Sequence, residues 1–326
     1  MQRSRNILTS STNLRPQSLD ELIGQENLKQ KARIAVGAAL QRGEPLPHCL
    51  LTSSGGGLGK TTLAGVLANE MFRPLVSTTG QCLLTPVDLR NTLISLKPGS
   101  LLLVDEFHAL GRAAAEELLL VLEDGVLNIN LESRQGPIRI PVPPFTLIAA
   151  TTRPSAIAAP MFQRFGLHFH FDFYSVTELC EIAGAFAREM PVEFAEAVNT
   201  ALAGRSLGIP RRCLRLIERV RDVAQAKGLK KATLDEMSLA MRIEGIDHLG
   251  LRRDERELLQ TLADAEPRAV SARSLALALG VEIATVIEVL EPPLVRLGLL
   301  TIGRGGRRLT AKGMEHLRTV ERQESA

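Results

Sequence analysis

The sequence predicts an α/β core on a parallel sheet, then a small all-α domain, then a C-terminal winged helix. Three observations carry this expectation. Short, nearly continuous apolar segments alternate with amphipathic helical patterns as far as residue 173. Helical periodicity then runs alone to about residue 247. The remainder reads as three helices and a glycine-turned basic hairpin. The expected domains are therefore 1–173, 174–247 and 248–326.

The apolar segments are "HCLLTS" at 48–53, "SLLLVDEF" at 100–107, "FTLIAATT" at 145–152 and "LHFHFDF" at 167–173, and "PLVSTTG" at 74–80 reads as a further strand between the first two. Their length and continuity fit strands buried on both faces. "KTTLAGVLANEMF" and "AAAEELLLVLEDG" supply helices between them. Ligands of such sheets bind at the C-terminal ends of the strands. In the second domain, Ser175 with Glu178 forms a capping-box signature, and no strands are expected. In the third, "DERELLQTLAD", "SARSLALALG" and "EIATVIEVLEPPLVRLGLL" read as helices. "LLTIGRGGRRLTAKG" reads as a hairpin turning at 303–306.

Composition narrows the function classes. With 326 residues, 45% of them hydrophobic, the chain is long enough for two or three cores. The net charge of +3 does not demand a polyanionic partner, so a nucleic-acid surface must be a local cluster. The four cysteines, Cys49, Cys82, Cys180 and Cys213, are dispersed and read as buried reduced thiols of a cytoplasmic protein. The polar start "MQRSRN" has no signal-peptide core, and no apolar run is long enough to span a bilayer, so no membrane partner is expected. The pair His168 and His170 is explained by strand alternation rather than metal binding.

The chemistry concentrates in "LLTSSGGGLGKTT" at 50–62. Gly59, Lys60 and Thr61 follow an apolar strand and open a helix, the context of a phosphate-binding loop. Backbone N–H groups of Gly57, Leu58, Gly59, Lys60, Thr61 and Thr62 can wrap the phosphates of a nucleotide, and the helix N-terminus adds positive potential. Lys60 would neutralise phosphate oxygens and Thr61 would ligate Mg²⁺. "LLLVDE" ends in Asp105 and Glu106, one carboxylate for Mg²⁺ and one to polarise the attacking water. An extra strand falls between the loop and the metal carboxylate. Thr152 can orient the water or touch the γ-phosphate. Arg164 in "APMFQRFG" is placed to reach a neighbouring subunit's nucleotide, and Arg211 in "GIPRRCLRLIERV" to report nucleotide state. Arg296, Arg304, Arg307, Arg308 and Lys312 form an acid-free basic cluster around the wing, suited to DNA phosphates.

Together these residues resemble the AAA+ ATPases, and among them the RuvB family of Holliday-junction branch-migration motors. The resemblance covers nearly the whole chain. It runs through "LRPQSLDELIGQENLK", "GLGKTTLA", "DEFHAL", "PPFTLIAATTR", "RFG", "FY" and the stretch holding Pro210 and Arg211, then into the winged helix. It implies an α/β AAA+ core with a lid. Adenine would pack near Arg15 and Ile23, with Tyr174 beside the base and Pro210 at the nucleotide. It further implies a homo-hexameric ring on duplex or junction DNA and a hairpin that grips the partner RuvA.

The chain departs from the family pattern in three places. Ser54 replaces the first loop glycine, and Gly55 and Gly56 replace two prolines. Phe162 and Gln163 replace an Arg-Asp pair before Arg164. The hairpin segment near 127–142 is somewhat shorter, which puts the RuvA contact in question. Two other functions stay open on the sequence: an ATP-gated DNA-binding scaffold with little motor activity, and a clamp-loader-like AAA+ protein.

Overall fold

The computed structural model describes residues 15–129 and 138–324. It divides into two compact units after Tyr174.

The first unit holds α1 (Glu26–Arg42), β1 (Cys49–Ser53), α2 (Lys60–Glu70), β2 (Leu75–Thr79), α3 (Pro86–Ile94), β3 (Leu101–Asp105) and α4 (Arg112–Asp124). It continues with β4 (Val126–Ile129), β5 (Ile138–Pro141), β6 (Thr146–Thr151), α5 (Ala159–Phe162) and β7 (Leu167–Phe171). Five strands form a parallel sheet in the order β2-β3-β6-β1-β7. In the sheet the strand between the loop strand β1 and the carboxylate strand β3 is β6, while β2, which separates them along the chain, lies at the edge beyond β3. Leu50, Leu102, Val104, Leu147 and Ala149 share a buried cluster with Leu89 and Leu93 of α3 and Leu118 and Val121 of α4. Their neighbours Leu51, Leu103, Ile148 and Ala150 are buried too. Both faces are covered, which is why these strands lack polar alternation. In β7 the alternation holds, with Phe169 and Phe171 buried and His170 exposed. β4 and β5 pair antiparallel from Val126↔Pro141 to Ile129↔Ile138, forming the stem of the expected hairpin. Its tip lies outside the described residues.

The second unit begins with α6 (Val176–Arg188), β8 (Glu193–Phe194), α7 (Glu196–Arg205), α8 (Pro210–Ala226), β9 (Lys231–Ala232) and α9 (Leu234–Ile243). The capping box at Ser175 is present: Glu178 N–H donates to Ser175 Oγ at 3.2 Å, and Ser175 N–H to Glu178 Oε2 at 2.7 Å. β8 and β9 pair in parallel, which corrects the expectation that strands are absent here. Each is two residues long, too short to leave a periodic trace.

The winged helix follows: α10 (Arg253–Ala265), α11 (Ala272–Leu279), α12 (Ile283–Thr285), α13 (Glu291–Arg296), β10 (Leu300–Gly303), β11 (Gly306–Leu309) and α14 (Ala311–Glu324). A π-helical stretch, Val286–Leu290, joins α12 to α13 just before Pro292 and Pro293, which cannot donate backbone hydrogen bonds. Gly303 pairs with Gly306, so the wing turns at the expected residues. α14 is an addition that the sequence reading did not separate from the hairpin.

All four cysteines are free, but only Cys49 and Cys213 are buried; Cys82 is exposed and Cys180 half-buried. That corrects the expectation of four buried thiols. Burial pushes the Cys49 thiol up to about 12 and the Cys213 thiol up to about 11, so neither ionises near neutrality. No described helix is long and apolar enough to cross a membrane. No metal-binding group of His, Cys, Asp or Glu occurs among the described residues.

Candidate nucleotide site and basic surface

The loop between β1 and α2 turns on two left-handed glycines, Gly57 at φ 81° and Gly59 at φ 105°. Ser54, Gly55 and Gly56 are not in that region, so serine at position 54 carries no backbone penalty. Leu58 is fully buried and anchors the loop. A Cβ on Gly59 would meet Tyr174 Oη at 3.5 Å and Phe171 Cε1 at 3.6 Å. Lys60 is buried and donates to Ser53 Oγ at 2.6 Å, while Ser53 Oγ donates to the Gly55 carbonyl at 2.6 Å. Ser53 therefore holds both the loop and its lysine, a role the sequence reading missed. Thr62 is half-buried in the first turn of α2.

The acid pair lies at the end of β3. Thr61 Oγ1 donates to Asp105 Oδ2 at 3.1 Å, and Glu106 N–H donates to Asp105 Oδ1 at 2.9 Å. A hydroxyl and a carboxylate brought together are hard oxygen donors of the kind Mg²⁺ takes. Glu106 has φ 48°, strained for a residue with a side chain, and half of that side chain is exposed. His108 Nδ1 lies 2.9 Å from Thr151 Oγ1 and 3.4 Å from Glu106 Oε2. The structure thus ties Thr151, the last residue of β6, to the acid pair. Thr152, expected in that role, follows it half-buried. The histidine in "DEFHAL" was the available signal for this link.

Tyr174 is 4% exposed and sits beneath the loop, its hydroxyl donating to the Leu58 carbonyl at 3.4 Å. The Gln25 side chain donates to the Asp172 carbonyl at 2.7 Å and accepts from Asp172 N–H at 3.3 Å. This amide pair fastens the N-terminal box to the segment that carries Tyr174. Within the box Ile23 is half-buried and Arg15 exposed. Arg164, just beyond α5, is ion-paired with Glu123 of α4. Pro210 and the exposed Arg211 open α8 in the second unit.

The basic cluster is divided by the fold. On the wing, Arg307 shares a face with the buried Leu309 and forms a two-bonded pair with Glu291, at 2.7 and 3.1 Å. Glu291 is 2% exposed, so the cluster is not free of acids in space. Arg296 donates to the Leu207 carbonyl. Arg304, Arg308 and Lys312 are exposed, and Lys312 reaches the Leu297 carbonyl at 2.9 Å.

A phosphate loop after β1 and an acid pair after β3, with β6 between, followed by a helical lid, define a P-loop ATPase of the AAA+ class. Family models narrow the class. Residues 14–171 match the Holliday junction DNA helicase RuvB P-loop domain, 174–247 the RuvB AAA lid domain, and 248–318 the RuvB C-terminal winged helix domain. The chain belongs to the RuvB family. It is 40% identical over 310 residues to the Holliday junction branch migration complex subunit RuvB of Thermotoga maritima, covering 94% of this chain and 92% of that protein. It is 42% identical over 311 residues to the Rubrobacter xylanophilus RuvB, covering 93% and 86%. The solved Thermotoga maritima RuvB branch migration motor superposes with a TM-score of 0.83 at 39% identity, covering 94% of this chain and 98% of that one.

Proposed function

We infer that this chain is an ATP-driven Holliday-junction branch-migration motor that works as a homo-hexameric ring in the cytoplasm. The contact of Thr61 with Asp105, beside Glu106, carries the reading. Lys60 and the loop N–H groups hold the phosphates. Thr61 and Asp105 hold Mg²⁺, which supplies charge neutralisation on the phosphate oxygens. Glu106, steadied by His108, takes the proton of the attacking water, and Thr151 and Thr152 border that position. Arg164 acts on a neighbouring subunit's nucleotide, and Arg211 reads nucleotide state from the lid. Adenine packs against the box around Arg15 and Ile23, with Tyr174 at its border. Arg304, Arg308 and Lys312 take DNA phosphates without reading bases.

The relatives bear the name of branch migration complex subunits. The paired stem of β4 and β5 supports a RuvA-type partner here as well. The deciding experiment measures ATP hydrolysis with and without junction DNA. Glu106→Gln is expected to keep ATP binding and lower turnover about 10²–10⁴-fold. Binding without turnover in the parent chain would instead favour the ATP-gated scaffold.

A further inference from the structure

The loop 206–209 leads directly into α8, whose first two residues are Pro210 and Arg211. Leu207 in this loop adopts φ 52°, a costly conformation for a leucine. Its side chain belongs to the winged-helix core, in one buried cluster with Leu251, Leu258, Leu294 and Leu299. Arg296, at the end of α13, donates to the Leu207 carbonyl, and its guanidinium covers Gly208, where a Cβ would collide with it. On the other side of Arg211, Arg212 is turned inward. It donates to the Gly250 carbonyl and lies 3.6 Å from Glu255 of α10. Gly250, at φ 90°, sits so close to the Arg205 carbonyl that no Cβ fits. The residues flanking Arg211 are thus fastened to the winged helix by a buried side chain, a carbonyl clamp and a buried ion pair.

We propose that this joint is a transmission: the winged helix and the start of α8 move as one body, so load on the wing displaces Arg211 and changes ATP turnover. Arg212 is its positioning residue. The proposal rests on the reading of Arg211 as a nucleotide contact. A strained leucine buried in a neighbouring core is a device for rigidity, since an exposed polar loop would satisfy the chain path at lower cost. Breaking one half of the ion pair would leave a buried lone charge, so the pair is removed together in the test.

The experiment compares ATP hydrolysis with and without duplex DNA in the full chain, alongside melting and DNA binding. In Arg212→Met/Glu255→Gln, basal hydrolysis and DNA affinity are expected to stay within about two-fold, while DNA stimulation falls roughly three-fold or more. Arg212→Lys retains a cation for Glu255 and a donor for Gly250, and is expected to keep most of the stimulation. Unchanged stimulation in the folded double variant would overturn the proposal. So would a parent chain whose hydrolysis DNA does not stimulate, or a proportional loss of melting temperature, DNA affinity and basal turnover in Arg212→Lys. Arg211→Ala separates the underlying reading. If it hydrolyses ATP normally while the double variant is uncoupled, the nucleotide role of Arg211 fails and the joint acts through another residue.

Discussion

Ser54 and Gly59 show what each position of the phosphate loop demands. Only Gly57 and Gly59 occupy the left-handed region, so only those two need glycine for their backbone. Ser54→Gly is therefore expected to shift ATP affinity modestly and leave hydrolysis per bound ATP unchanged. Gly59→Ala holds a residue with a side chain at φ 105°, a backbone strain of about 1–3 kcal/mol, while its Cβ only touches Tyr174 and Phe171. Nucleotide titration of the two variants should separate them, with clear weakening for Gly59→Ala alone; equal affinities would remove the distinction. At the same scale, Glu106 was legible as the carboxylate after an apolar strand. Its left-handed backbone and the contact of His108 with Thr151 were not, and the second depends on where β6 ends beside β3.

The wing is where an element reverses the reading of a residue. Five cations looked equivalent along the chain. Pairing of β10 with β11 sends Arg307 to the core face and Arg308 to the other. Charge removal at Arg304 and Arg308 is expected to weaken duplex binding regardless of sequence, lowering the salt slope by about 0.9 per lost phosphate contact. Arg307→Ala leaves Glu291 buried alone and should cost about 3–5 kcal/mol of stability. Denaturation and salt-dependent binding, measured together, test this division. A stable Arg307→Ala with a reduced slope would return Arg307 to the DNA surface. Helix and strand identities in both units were largely legible, since each has its own period and punctuation. β8, β9 and α14 were not, being too short or too close to the hairpin to show a separate pattern.

For the whole molecule, Arg164 is the test of assembly. In the single chain it is paired with Glu123. Both side chains are partly exposed, so giving up that pair costs no more than about 1 kcal/mol. In a ring, Arg164→Ala is expected to keep ATP binding and lose about 10³-fold or more in turnover. Mixing Arg164→Ala subunits with Lys60→Ala subunits should restore hydrolysis, because an intact site then meets an intact arginine. Failure to restore it would place the arginine in cis or outside the chemistry.

The sequence by itself determined the order of the domains, the loop, the acid pair and the family, because these rest on local spacing and strand-helix periodicity. Only the tertiary structure decided which cations face water, that Thr151 reaches Glu106 through His108, and that Leu207 and Arg212 bind the lid to the winged helix. These depend on which distant residues share a face or a cavity. A charge's function is set by the burial and partners it finds there, and neither is written in its neighbours along the chain.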